Sequence, residues 1–108
     1  MITTPNTGND ATTQHHEFTW TSGHHTIRIG IEFRPKWHIY DHLGITSLEP
    51  ARAPLPITRT GYLSHYVGAG MTEEHGGPVS VVRMLLDEAA KSEEWKKYLS
   101  ESRQSSLF

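Results

Sequence analysis

The residues best equipped for chemistry in this 108-residue chain are its eight histidines: His15, His16, His24, His25, His38, His42, His65 and His75. Imidazole binds metals and exchanges protons near neutral pH. His38 and His42 stand four apart, which on a helix would place two ligands on one face. The segment Trp37-His38-Ile39-Tyr40-Asp41-His42 carries no helix signals, however, and no His-Glu-x-x-His pattern occurs. A zinc site would have to draw on dispersed candidates, His38, His42, His65 and His75, together with Asp41 or Glu74. Histidine in a small domain is more often hydrogen-bonded or solvated, so neither a metal nor a cofactor is expected. Ser64 directly precedes His65. Strand neighbours point to opposite faces, so these two cannot act as nucleophile and base. No catalytic residue is assigned, and the chain is read as a non-enzyme.

A second set of residues could bind rather than react. Trp20, Trp37, Tyr40, Tyr62 and Tyr66 are interleaved with Arg28, Arg34, Lys36, Arg52 and Arg59, the makeup of a stacking platform for single-stranded nucleic acid. Six acids, Glu17, Glu32, Asp41, Glu49, Glu73 and Glu74, share that stretch and cancel its field. Nucleic-acid contact is therefore expected to be weak. Aromatic side chains dominate small cores, so burial is the first expectation for these rings. As a partner-binding surface, the candidates are Trp37, Tyr40, Arg59 and Tyr62.

Composition bounds what remains. Ten Lys and Arg against twelve Asp and Glu leave a net charge of -2, without the basic surplus of a phosphate-backbone binder. The absence of Cys excludes disulfides, thiolate zinc sites and a thiol nucleophile. No apolar run approaches the ~18 residues of a membrane span. Met1-Ile2-Thr3-Thr4-Pro5 has neither the basic start nor the apolar stretch of a secretory signal, and a cytoplasmic location is expected.

The elements that must position these residues follow from periodicity. Residues 1–16 are read as a disordered leader, because they hold too little apolar surface to offset their ordering entropy. A single domain is expected over 17–102. Phe18 and Trp20 alternate with polar residues. Ile27, Ile29, Ile31 and Phe33 alternate with Arg28, Gly30 and Glu32, and the two runs predict a hairpin turning at Gly23. Arg34-Pro35-Lys36 should end that strand and Trp37–Asp41 should be a loop. A third strand is expected over His42–Leu48. The three prolines of 49–56 predict an extended connector, and 57–67 a bent strand or strand pair kinked at Gly61. Residues 68–77 read as a flexible loop. Val79, Val82, Leu85, Leu86 and Ala89 recur at helical steps after Pro78. Ser92 with Glu93-Glu94 opens a second helix to Ser102. The fold class is thus α+β, a small antiparallel sheet of three to five strands with a C-terminal helix pair on one face. The alternative is a small β-barrel with an appended helix, bent at Gly30 and Gly61.

The last residues, 103–108, form a polar tail ending in Leu107-Phe108. Gln104-Ser105-Ser106-Leu107-Phe108 resembles the bacterial sliding-clamp-binding pentapeptide Gln-Leu-x-Leu-Phe. The resemblance implies that Leu107 and Phe108 fill an apolar pocket and that Gln104 hydrogen-bonds at its rim. Ser105 departs from the pattern, removing an apolar anchor worth about 1–2 kcal/mol. The runs Ala53-Pro54-Leu55-Pro56-Ile57-Thr58-Arg59-Thr60-Gly61-Tyr62-Leu63-Ser64-His65 and Leu85-Leu86-Asp87-Glu88-Ala89-Ala90, with that ending, resemble small proteins of proteobacterial plasmids and mobile elements over residues 26–108. Together these resemblances imply a non-enzymatic adaptor that binds a protein partner, such as the host sliding clamp. The other function they admit is an inhibitor of a host defence nuclease complex acting through its globular surface.

Overall fold

The computed structural model describes residues 13–105. Four strands, β1 (Gln14–Ser22), β2 (His25–Trp37), β3 (Tyr40–Glu49) and β4 (Tyr62–Gly68), are followed by three helices, α1 (Met71–Glu74), α2 (Pro78–Ala89) and α3 (Glu93–Ser105). The strands form one antiparallel sheet in the order β1-β2-β3-β4. β1 and β4 are its two edges and do not pair, so the sheet is open and the barrel alternative is excluded. The expected leader overlaps the first strand, which begins at Gln14 rather than Glu17. The rest of that leader, residues 1–12, lies outside the described residues.

One face of the sheet makes the core. Trp20, Ile27, Ile29, Ile31, Phe33, Leu43 and Ile45 are buried on it, and Val81, Val82 and Leu86 of α2 and Trp95 of α3 close over them. Each such aliphatic side chain taken from water contributes about 1.5–3 kcal/mol. Both buried indoles keep their N–H satisfied. Trp20 Nε1 donates to Asp87 Oδ1 at 2.9 Å, and Trp95 Nε1 donates to Ser22 Oγ at 2.9 Å. These bonds tie α2 and α3 to β1. Ser92 caps α3 as its sequence predicts, its Oγ accepting the Trp95 N–H at 3.1 Å.

Three expectations need correction. β2 does not end at Pro35, and Trp37–Asp41 is not a loop: β2 and β3 meet at a two-residue turn, His38-Ile39, between the paired Trp37 and Tyr40. The proline is accommodated at a break in register between Arg34 and Trp37, where no ladder N–H is required of it. The connector of 50–61 is not extended. It folds back through a Leu55–Thr58 bridge and buries Leu55 under the helices. Ser47 anchors it from β3, donating its hydroxyl to the Ala53 carbonyl at 2.6 Å and its N–H to the Gly61 carbonyl at 2.8 Å. The stretch read as a flexible loop contains the single helical turn α1, whose Thr72 is fully buried.

Candidate functional site

The opposite face of the sheet carries no helix, and it holds the most concentrated chemistry among the described residues. Alternation explains most of it. Leu43 and Ile45 point into the core, so Tyr40 and His42 on β3 point out; likewise Tyr62, Ser64 and Tyr66 on β4. Trp37 reaches this face by a different route. Counted from Phe33, an unbroken strand would turn Trp37 inward. One extra residue between Arg34 and Trp37 shifts the phase and turns the indole outward.

A buried carboxylate holds that bulge. Asp41, on the core side of β3, is 1% exposed. Its Oδ1 accepts the Lys36 N–H at 2.8 Å and the Gly70 N–H at 3.2 Å, and its Oδ2 accepts the Thr72 N–H at 3.1 Å. Lys36 and His38 adopt positive φ of 50° and 60°, a conformation that costs free energy unless neighbours enforce it. Burial alone would raise the Asp41 pKa. The Lys36, Thr72 and Gly70 N–H groups outweigh it and hold the carboxyl below its usual value. One side chain thus fastens the bulge to α1.

The result is a cluster of exposed rings. Trp37 and Tyr66 stack with centroids 6.2 Å apart and planes at 28°. Tyr40 meets Tyr66 edge-on at 5.9 Å, and His42 lies 4.8 Å from Tyr66 and 6.2 Å from Trp37. The Arg34 guanidinium sits 5.8 Å from the Trp37 ring. Trp37, Tyr40 and Tyr66 remain 39%, 45% and 48% exposed, so the expectation that these rings are core is overturned; only Trp20 of that set is buried. Beside the cluster, Gly30 and Gly44 leave a shallow depression flanked by Leu48 and Tyr62. Tyr62 shares this face, but Arg59 does not join it; Arg59 lies with Trp95 and Tyr98 where the connector meets α3.

The histidines separate. His42 lies on the open face, and His65 lines a cleft with His75 on the helix side. Among the described residues no group of three or more His, Asp or Glu is placed to hold a metal. The partner of Ser64 is His42 rather than His65: Nε2 and Oγ are 2.6 Å apart across the β3–β4 ladder. Burial first, then the Arg34 cation, lower the His42 pKa, against an opposing pull from Glu32. The imidazole is therefore mostly neutral already at its ordinary value of 6.5. His24 and His25 make a second pair, both within hydrogen-bond distance of Ser102 Oγ, at 3.1 and 2.7 Å. Sequence reasoning groups Arg34 and Tyr66 with Trp37, Tyr40 and Tyr62 as a platform but leaves out His42 with Ser64, although strand alternation carries that signal.

Of the tail, Leu107 and Phe108 lie outside the described residues, while α3 continues through Gln104 to Ser105. No helix is long and apolar enough to cross a membrane among the described residues. No curated protein and no solved structure is significantly similar to the chain. Residues 13–95, which hold the whole sheet, α1, α2 and the start of α3, match the family model described as KlcB third domain, and the chain accordingly belongs to the KlcB third-domain family, associated with plasmid-encoded accessory proteins.

Proposed function

We propose that the chain is a non-enzymatic adaptor of a plasmid-encoded accessory system and binds a protein partner through the uncovered face of its sheet. The observation that carries this reading is the exposed cluster of Trp37, Tyr40, His42 and Tyr66 beside Arg34. Trp, Tyr and Arg are the residue types that anchor protein interfaces, because they bury large area with few rotamers to freeze. Acids offset the bases of the same face: Arg28 Nε donates to Glu17 at 2.8 Å, and Glu32 lies 3.4 Å from His15. A phosphate backbone needs a basic surplus that this face lacks, whereas a mixed protein surface does not. The depression between Leu48 and Tyr62 offers a socket for a partner's apolar side chain.

The sliding clamp of a bacterial host is the partner suggested by Gln104, Leu107 and Phe108, and it would be a second contact that starts in the last turn of α3. Inhibition of a host defence nuclease complex is the competing use, and the position of the ring cluster on the globular body rather than the tail favours it. One experiment addresses both. The purified full chain, a Trp37→Ala/Tyr66→Ala variant and a chain lacking 104–108 are immobilised and exposed to host lysate and to purified clamp. The adaptor reading expects a discrete partner lost by the double variant, and clamp binding lost by the truncation. Equal capture by the folded double variant overturns the role of the sheet face. Clamp binding that survives truncation overturns the role of the tail.

A further inference from the structure

The two edges of the sheet are not equivalent. A sheet edge presents unpaired N–H and C=O groups, and proteins normally blunt it with a proline, a charged side chain, a bulge or a covering segment. On the β4 edge the Tyr62 carbonyl accepts from the hydroxyls of Thr58 at 2.9 Å and Thr60 at 3.2 Å, and the strand stops at Gly68. The connector therefore covers part of that edge. β1 carries one such charge, Glu17, and Arg28 of β2 engages it at 2.8 Å. Its nine residues, Gln-His-His-Glu-Phe-Thr-Trp-Thr-Ser, contain no Pro, Gly or Lys and pair with β2 in unbroken register.

The turn fixes which groups are free. Gly23 has φ of 60° and His24 does not share it, the pattern of a type II′ turn between Ser22 and His25. Those two residues then form a hydrogen-bonded pair, and every second residue back along β1 is bonded to β2. His15, Glu17, Thr19 and Thr21 direct their N–H and C=O groups away from the sheet. Among the described residues no other strand pairs with them.

We infer that β1 is a pairing edge for β1 of a second copy of this chain, joining two sheets into one. The sequence of the strand is self-complementary in the antiparallel sense. With the two-fold axis at Phe18, Glu17 faces Thr19 of the other copy, His15 faces Thr21, and Phe18 faces Phe18. No like charges stand opposite one another, and β-branched and aromatic residues fill the cross-strand positions. A two-fold axis perpendicular to the sheet keeps both helical layers on one side, so both ring clusters share the other. The contact is independent of what those clusters bind.

The test is the mass of the full chain by light scattering and sedimentation, over a series reaching ~1 mM, enough to populate even a millimolar dimer. The expected result is a shift toward twice 12.2 kDa with rising concentration. Thr19→Pro removes an outward N–H that β2 does not use, and it should weaken the dimer at least about tenfold. Thr19→Val, which leaves the backbone donor in place, should not. If Thr19→Pro fails to fold, amide exchange on the wild type decides: the His15, Glu17, Thr19 and Thr21 amides should gain protection with concentration. A monomer throughout the series overturns the inference. So does a dimer in which these four amides stay unprotected or which folded Thr19→Pro leaves unchanged.

Discussion

Asp41 Oδ1 accepts the Lys36 N–H at 2.8 Å across the β2–β3 hairpin, and this one bond fixes the bulge that turns Trp37 toward solvent. The same carboxylate bonds Gly70 and Thr72, so a core-side residue controls the geometry of the opposite face. Removing it leaves three backbone N–H groups without their charged acceptor. Asp41→Ala should destabilise the domain by about 2–4 kcal/mol, and Asp41→Asn by less. Urea unfolding measures this, and the near-ultraviolet signal of the Trp37–Tyr66 stack should weaken in parallel. A cost below about 1 kcal/mol would show that the bulge is held by the chain without Asp41.

Because the Asp41 pKa is lowered in the folded state, its contribution has a definite pH window. The stabilisation is fully present above the ordinary value of 3.8 and is lost as pH falls through the lower folded value. Wild-type stability should therefore drop more steeply than that of Asp41→Asn on acidification below pH 4 or so. Parallel acid titrations of the two proteins, followed by circular dichroism, check the slope.

Two glycines separate backbone from side-chain constraints. Gly61 has φ of 80°, and a Cβ there would lie 2.6 Å from Arg52 Cα. Neither atom can move without displacing the connector from β3. Gly61→Ala should cost about 2–4 kcal/mol. At Gly30 a Cβ would meet Leu48 Cδ1 at 2.9 Å, but Leu48 is an exposed side chain that can rotate away. Gly30→Ala should change stability by less than about 1 kcal/mol while filling the depression. Thermal melts of the two variants decide the contrast.

These residues also show what could be read from sequence. The alternation of Ile27, Ile29, Ile31 and Phe33 and the helical steps of α2 are direct records of one-sided burial; both elements form, though β2 runs on past Pro35 to Trp37. Pro35 was misread because proline forbids a ladder bond but not a bulge, and the Asp41 acceptor that makes the bulge affordable lies on another strand. The outward aromatics of β3 and β4 were legible in phase with Leu43 and Ile45; weighing them as core set composition above alternation. Trp37 was not legible, since its side of the sheet depends on a one-residue slip. The pairing of His42 with Ser64 depends on the β3–β4 register, which a connector of folded-back turns sets.

The ring cluster should matter little for stability. Trp37 and Tyr66 touch each other and His42 but not the buried core. Trp37→Ala and Tyr66→Ala should each cost no more than about 1 kcal/mol, the worth of an exposed aromatic pair. Trp20→Ala, which empties a core position and removes the indole bond to Asp87, should cost about 3–5 kcal/mol. Comparable losses at all three positions in denaturant melts would mean that the open face is structural rather than free for a partner.

Acidification should act a second time, at a higher pH, through two histidines. His25 is lowered by burial and by the neighbouring His24, and His42 by burial and by Arg34. A histidine whose folded pKa is depressed binds its proton more readily when unfolded. Stability is then constant above the ordinary value of 6.5 and falls as pH drops through it toward the folded values. The two sites should respond differently to substitution. His25 ties the β1–β2 turn to α3 through Ser102 and stacks on Tyr98 at 5.5 Å, so His25→Asn should lower stability at neutral pH and flatten its decline. His42 faces the ring cluster, so its protonation places a cation beside Tyr66 and fixes Nε2 as the donor to the Ser64 oxygen. Partner binding should therefore change between pH 7.5 and 5.5 in wild type and less in His42→Gln. Proton NMR titration of the two imidazoles gives the pKa values directly. Midpoints at or above 6.5 for both would remove the basis of this prediction.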